Sequence, residues 1–122
     1  REEAVRQGQS VFRRRLLEAY GNRCAISAAD AVQVLEAAHI IPVSARGSDD
    51  PQNGLLLRSD LHRLFDSGAI AVDDDFRVVV AHHLVPTSYG ELAGCPLRLP
   101  KRAAERPSLD ALRSHRLAAG LS

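Results

Sequence analysis

Apolar residues return at helical spacing near the start of the chain, at Val5, Phe12, Leu16 and Tyr20, and Gly21 stands where a helix usually stops. This predicts a helix over about 2–20. The run VLEAAHIIPV (34–43) is short, rich in branched residues and broken by Pro42, the pattern of a strand running into an irregular loop. Alternation sets Leu35, Ala37, His39 and Ile41 on one face and Glu36, Ala38 and Ile40 on the other. ARGSDDPQNG then reads as a loop and GLLLR as a second strand, a hairpin whose long connection is of the kind that carries function. Leu61, Leu64 and Phe65 predict a short helix with Ser59 or Asp60 as cap and Gly68 as terminator. AIAVDDDFRVVVAHHL (69–84) reads as a hairpin about an acidic turn, with His82 and His83 on its second strand and facing opposite ways. The region 86–107 holds four of the six prolines, which predicts an irregular wrap with one brief strand near 97–99. A closing helix over about 108–117 would set Leu109, Leu112 and Leu117 roughly on one face. The class is α+β.

Composition narrows this picture without redirecting it. A chain of 122 residues is one domain by length, here 1–122, and can bury a core without disulfides. Only five residues are aromatic, three Phe and two Tyr, which argues against a stacking platform for single strands. The net charge is +1, yet 15 of the 16 basic residues are Arg, with Lys101 the single Lys. Arginine suits bidentate phosphate contacts, although Arg and Ala in excess over Lys also fit a GC-rich coding sequence. Arg13, Arg14 and Arg15 could line a phosphate track, but charges on a helix most often form its solvated face. Acidic residues gather at Asp49, Asp50 and Asp73 to Asp75, so local charge matters more than the sum. Cys24 and Cys95 belong to no CxxC pair, which excludes a zinc ribbon and leaves two free or buried thiols. No apolar stretch approaches the ~18 residues of a membrane span, and the start lacks a signal-peptide core. A cytoplasmic bacterial setting with no membrane partner is the expectation. The opening REEAVRQG, without Met, suggests a domain excised from a longer protein.

The chemistry concentrates at His39, Asn53 and His62, fourteen and then nine residues apart. A histidine is suited to activating water for phosphodiester hydrolysis, and His62 and Asp66, four apart on a helix, share one face where a cation could sit. Asn53 precedes Gly54, itself a strong turn signal. The stretch LEAAHIIPVSARGSDDPQNGLLLRSDLHRLFDSG resembles the HNH nucleases, with a core motif over 35–66. That resemblance implies a ββα-metal core, to which the pattern adds an N-terminal helix, a further β-hairpin and a C-terminal helix. It implies His39 as general base, His62 as metal ligand, and Asn53 as the organiser of the loop rather than a ligand. One divalent cation is implied, Mg2+ or Mn2+ first, with other transition metals open. Asp66 is the second candidate ligand. Many HNH nucleases carry an acidic residue or His immediately before the base, where this chain has Ala38, so Glu36 on the same strand face is a third. Arg58 and Arg63 flank the metal helix as candidate phosphate contacts, or each pairs with an acid such as Asp60. His82, His83 and His115 are expected to be structural or at the surface.

The flanks FRRRLLEAYGNRCAIS, YGELAGCPLRLP and PSLDALRSHR resemble those of bacterial restriction-type HNH domains. The resemblance implies an endonuclease domain of a restriction or antiphage protein acting on DNA, double-stranded by expectation, with recognition supplied by a further recognition or sensor domain and a homodimer left open. Two other readings stand beside it: a DNA-binding module without nuclease activity, which Ala38 would suggest if Glu36 and Asp66 do not compensate, and a structural or interaction domain whose histidines pack in the core.

Overall fold

The computed structural model describes residues 2–121, and within the first helix it describes side chains from residue 11 onward. The elements are α1 (Glu2–Ala19), β1 (Leu35–His39), β2 (Gly54–Arg58), α2 (Ser59–Asp66), β3 (Ile70–Val72), β4 (Val78–Val80) and α3 (Leu109–Ala118), joined by short 3-10 turns. Phe12, Leu16 and Tyr20 lie on the buried side of α1 as their spacing requires, whereas the side chain of Val5 is outside the described residues. The helix ends where Gly21 and Asn22 adopt left-handed φ of 63° and 59°.

β1 and β2 pair antiparallel, with Leu35 opposite Arg58 and His39 opposite Gly54. Alternation turns His39 towards α1 and Glu36 towards α2, so the two helices cover opposite faces of this ribbon. A strand covered on both sides needs apolar residues at successive positions, and Leu55, Leu56 and Leu57 of β2 are fully buried. Gly54 is required by the closeness of α1. A Cβ there would lie 2.7 Å from the Phe12 ring and 2.8 Å from Leu16.

β1 is shorter than the apolar run suggests. Asn53 captures the backbone beyond His39, its carbonyl accepting from Ile40 N at 2.9 Å and its Oδ1 from Ile41 N at 2.8 Å, and Pro42 has no N–H to pair. The chain therefore leaves the ribbon at His39, at the end of the strand. The N-cap of α2 is Arg58, with no side-chain cap bond, and neither Ser59 nor Asp60 fills that place. Ser59 instead donates to Val34 O at 3.1 Å, tying the helix start to the entry of β1.

β3 and β4 form the second hairpin, its turn held by Asp73 Oδ1, which accepts from Asp75 N and Arg77 N at 2.9 Å each. β4 ends at Val80, so His82 and His83 lie not on a strand but in an exposed 3-10 turn, His82–Leu84. Residues 97–99 form no strand. A single bridge pairs Arg77 with Pro96, and Leu97 N donates to Phe76 O at 2.8 Å before the prolines end the pairing.

Ser108 caps α3 by accepting from Ala111 N. Its buried face is Ala111, Leu112 and Arg116, while Leu109 and Leu117 are exposed, because five residues of helix turn Leu117 far from Leu112. Arg116 is buried with its partners: Nη1 donates to Val72 O at 2.7 Å and Nη2 to Asp74 at 3.1 Å, pinning α3 to the end of β3. Cys24 and Cys95 are both free thiols, Cys24 buried. No helix among the described residues is long and apolar enough to cross a membrane.

Candidate active site

Where β1, α2 and α1 meet, an open cleft of about 630 Å³ is lined by Glu36 and His39 from β1, His62 and Asp66 from α2, and Phe12 and Arg13 from α1. His39 is the last residue of β1, and its ring lies against Phe12 with centroids 4.0 Å apart and planes 12° from parallel. Its Nε2 meets Asp49 Oδ1 at 2.8 Å. A carboxylate only accepts, so in this pair Nε2 carries the hydrogen and a neutral ring keeps its lone pair on Nδ1.

Asn53 is 7% exposed and stays out of the cleft lining. Its amide donates to Ile41 O and Ser48 O at 2.9 Å each and accepts from Ile41 N, so the amide's two N–H groups and its oxygen close the long loop on itself. Gly47 makes the crossing feasible, since a Cβ there would lie 1.8 Å from Ile41 O.

His62 stands between two carboxylates. Its Nδ1 meets Glu36 Oε1 at 2.7 Å, and its Nε2 meets Asp66 Oδ2 at 3.0 Å, one helical turn on. A neutral imidazole has one N–H, so it can donate to only one of them. The hydrogen bond with His62 is the main reason that the Glu36 carboxyl is held below its usual range. Glu36 and Asp66 approach opposite nitrogens of one ring, and among the described residues no three His, Cys, Asp or Glu side chains form a group that could hold a metal. The donor chemistry nevertheless suits a cation on the Nε2 side, where imidazole and carboxylate lie together and Glu36 holds the other nitrogen, a common arrangement around metal-binding histidines. Ala38 is fully buried, so a methyl group stands where a further ligand would be expected.

The two arginines divide between the alternatives that the sequence left open. Arg58 is not brought to the cleft: Nε and Nη2 grip Asp60 at 2.6 and 2.9 Å, and Tyr89 donates to the same carboxylate at 2.7 Å. That pairing, Arg58 first, holds the Asp60 carboxyl far below the ordinary carboxylate range. Arg63 lines a shallower groove beside Glu36, His62 and Asp66. His115 is structural, stacked on Phe65 at 3.7 Å with Nε2 donating to Phe65 O at 2.8 Å; burial is the main cause of its lowered pKa.

Residues 24–73 match the family model described as HNH endonuclease. That segment is an HNH endonuclease motif. The chain is also similar to a solved structure, a modification-dependent TagI restriction endonuclease, with a TM-score of 0.65 and 28% identity over 84% of this chain and 35% of that one. The chain thus spans about a third of that protein's length. No curated protein sequence matches it. The α+β architecture expected from the sequence, a ββα core with an added helix at each end and a second hairpin, is the one observed. Phe12 and Asp49 are the contacts of His39 that sequence reasoning missed. Asp49 was visible only as part of an acidic pair, and Phe12 only as a core position.

Proposed function

We propose that this HNH domain is the metal-dependent cutting unit of a DNA restriction or antiphage protein. The observation that carries the reading is the convergence of His39 and His62, from β1 and α2, on one open cleft. Both side chains remain partly exposed, at 19% and 24%, which fits reacting groups better than core packing and argues against a purely structural domain.

In this reading His39 Nδ1 takes the proton of the attacking water while Asp49 holds Nε2 and Phe12 fixes the plane of the ring. His62 and Asp66 would hold one divalent cation, Mg2+ or Mn2+ by their hard and borderline donors, and the cation would stabilise charge on the phosphate and the departing oxygen. Glu36 orients His62 through Nδ1 rather than binding the cation. Asn53 shapes the loop that carries Asp49. Arg63, in the groove beside the metal helix, is placed to meet a neighbouring phosphate, and Arg58 is committed to Asp60. The TagI similarity, with this chain covering 35% of that protein, supports a division of labour in which DNA recognition resides in a further domain.

Incubating plasmid DNA with the chain and Mg2+ or Mn2+ tests the proposal. Nicking or linearisation is expected, reduced about 10²-fold or more in both His39→Ala and His62→Ala. Binding without cleavage in every metal would instead favour a DNA-binding module, the reading supported by the buried methyl of Ala38.

A further inference from the structure

The cleft that holds His39 and His62 is also lined by two carboxylates, Glu36 and Asp66, and a phosphodiester entering it needs positive charge from the protein wall as well as from any cation. Among the described residues that line this cleft, Arg13 is the single Arg or Lys. It is half-buried, unlike its neighbours Arg14 and Arg15, which are exposed on the same helix. Its Nη2 donates to Val32 O at 3.1 Å and Leu35 O at 3.3 Å, the carbonyls that lead into β1. A guanidinium has five N–H groups, so this anchorage leaves Nε and Nη1 with donors that have no acceptor among the described residues. The two carbonyls fix the side chain, removing in advance much of the freedom a long cation loses on binding.

We propose that Arg13 is a substrate-binding residue of the cleft, its Nη1 and Nε gripping a DNA phosphate oxygen at or next to the bond that is cut. It lies in α1, before the matched segment 24–73, so this part of the DNA grip is supplied by a helix outside the HNH motif. Arg13 takes the role for which Arg58 is unavailable, because the Arg58 guanidinium is already paired two-for-two with Asp60. The proposal rests on the reading of this cleft as the place where DNA is cut.

The test is duplex-DNA binding without divalent metal across a salt series, for the wild-type chain, Arg13→Gln and Arg113→Gln. Gln keeps a polar, hydrogen-bonding side chain without the charge, and Arg113→Gln removes the same charge from an exposed site on α3. The expected result is a salt-dependence slope reduced by about 0.9 in Arg13→Gln alone, the value for one lost phosphate contact, and binding weakened about 10-fold at 0.1 M salt. Thermal unfolding of each variant ensures that binding is measured on folded protein. An unchanged slope in Arg13→Gln, an equal decrease in Arg113→Gln, or no duplex binding by the wild type would each overturn the proposal. Parallel cleavage assays with Mg2+ or Mn2+ separate the two ideas. If Arg13→Gln lowers the slope but the wild type never cuts, the phosphate contact stands and the nuclease reading fails.

Discussion

At His39 the ring is held on three sides, by its own strand, by the face of Phe12 and by the carboxylate of Asp49. Asparagine at position 49 has a similar shape but can present either an acceptor or a donor to Nε2, so it no longer fixes which nitrogen keeps the lone pair. Asp49→Asn is expected to lower kcat by at least about 10- to 100-fold, the range for partners that orient metal-ligating histidines, with KM nearly unchanged. Asp49 is half exposed, so the unfolding midpoint should not move; a fall in stability equal to the fall in activity would show that the contact serves the loop alone. His39, His62 and Asn53 were legible as candidates because they follow one another at fixed spacings within a single stretch of sequence. Asp49 was not. Three acceptors are grouped at Ser48, Asp49 and Asp50, and only the fold of the loop shows that Asp49 reaches back to the histidine.

The ββα unit works as a scaffold because each of its faces is occupied. α1 presses on the ribbon where β2 begins, and Gly54 is the gap that admits Phe12 and Leu16. Gly54→Ala would force a Cβ to within 2.7 Å of the Phe12 ring, so a loss of about 1–3 kcal/mol in stability is expected, as for other overpacked sites. Urea unfolding measures it. Activity should fall further than stability explains, since the Phe12 ring displaced by that methyl is the one stacked on His39. At this scale helical spacing located α1 and α2, and two short β-rich runs on either side of a polar loop located the hairpin. The third helix was found but its face was not. Leucines at 109, 112 and 117 suggested an apolar stripe, yet the buried positions are Ala111, Leu112 and Arg116. A long charged side chain does not look like core in a sequence, and Arg116 is core because a backbone carbonyl and Asp74 await it.

Across the molecule, the start of α2 is tied to the proline-rich wrap through Asp60, which takes hydrogen bonds from Arg58 and from Tyr89. Because the folded carboxyl is held below its ordinary value of about 4, this interaction stabilises the protein fully above that pH and is lost as pH falls below it towards the folded value. Thermal unfolding of Asp60→Asn is therefore expected at a lower midpoint than wild type at pH 7, with the two converging as pH is taken from 5 towards 2. Parallel curves over that range would show that Asp60 is not the titrating group. Phe12 and Arg13 belong to this scale as well. The distance of Phe12 in sequence from His39 hid its part, since no local pattern links a helix to a cleft assembled some twenty-five to fifty residues later, and Arg13 was legible only as one of three helix arginines that could track phosphate. For anyone moving this domain into a chimera, that separation sets the seam: a graft cut to 24–73 would carry the motif but leave one side of the His39 ring open to water. The transplantable piece begins ahead of Phe12.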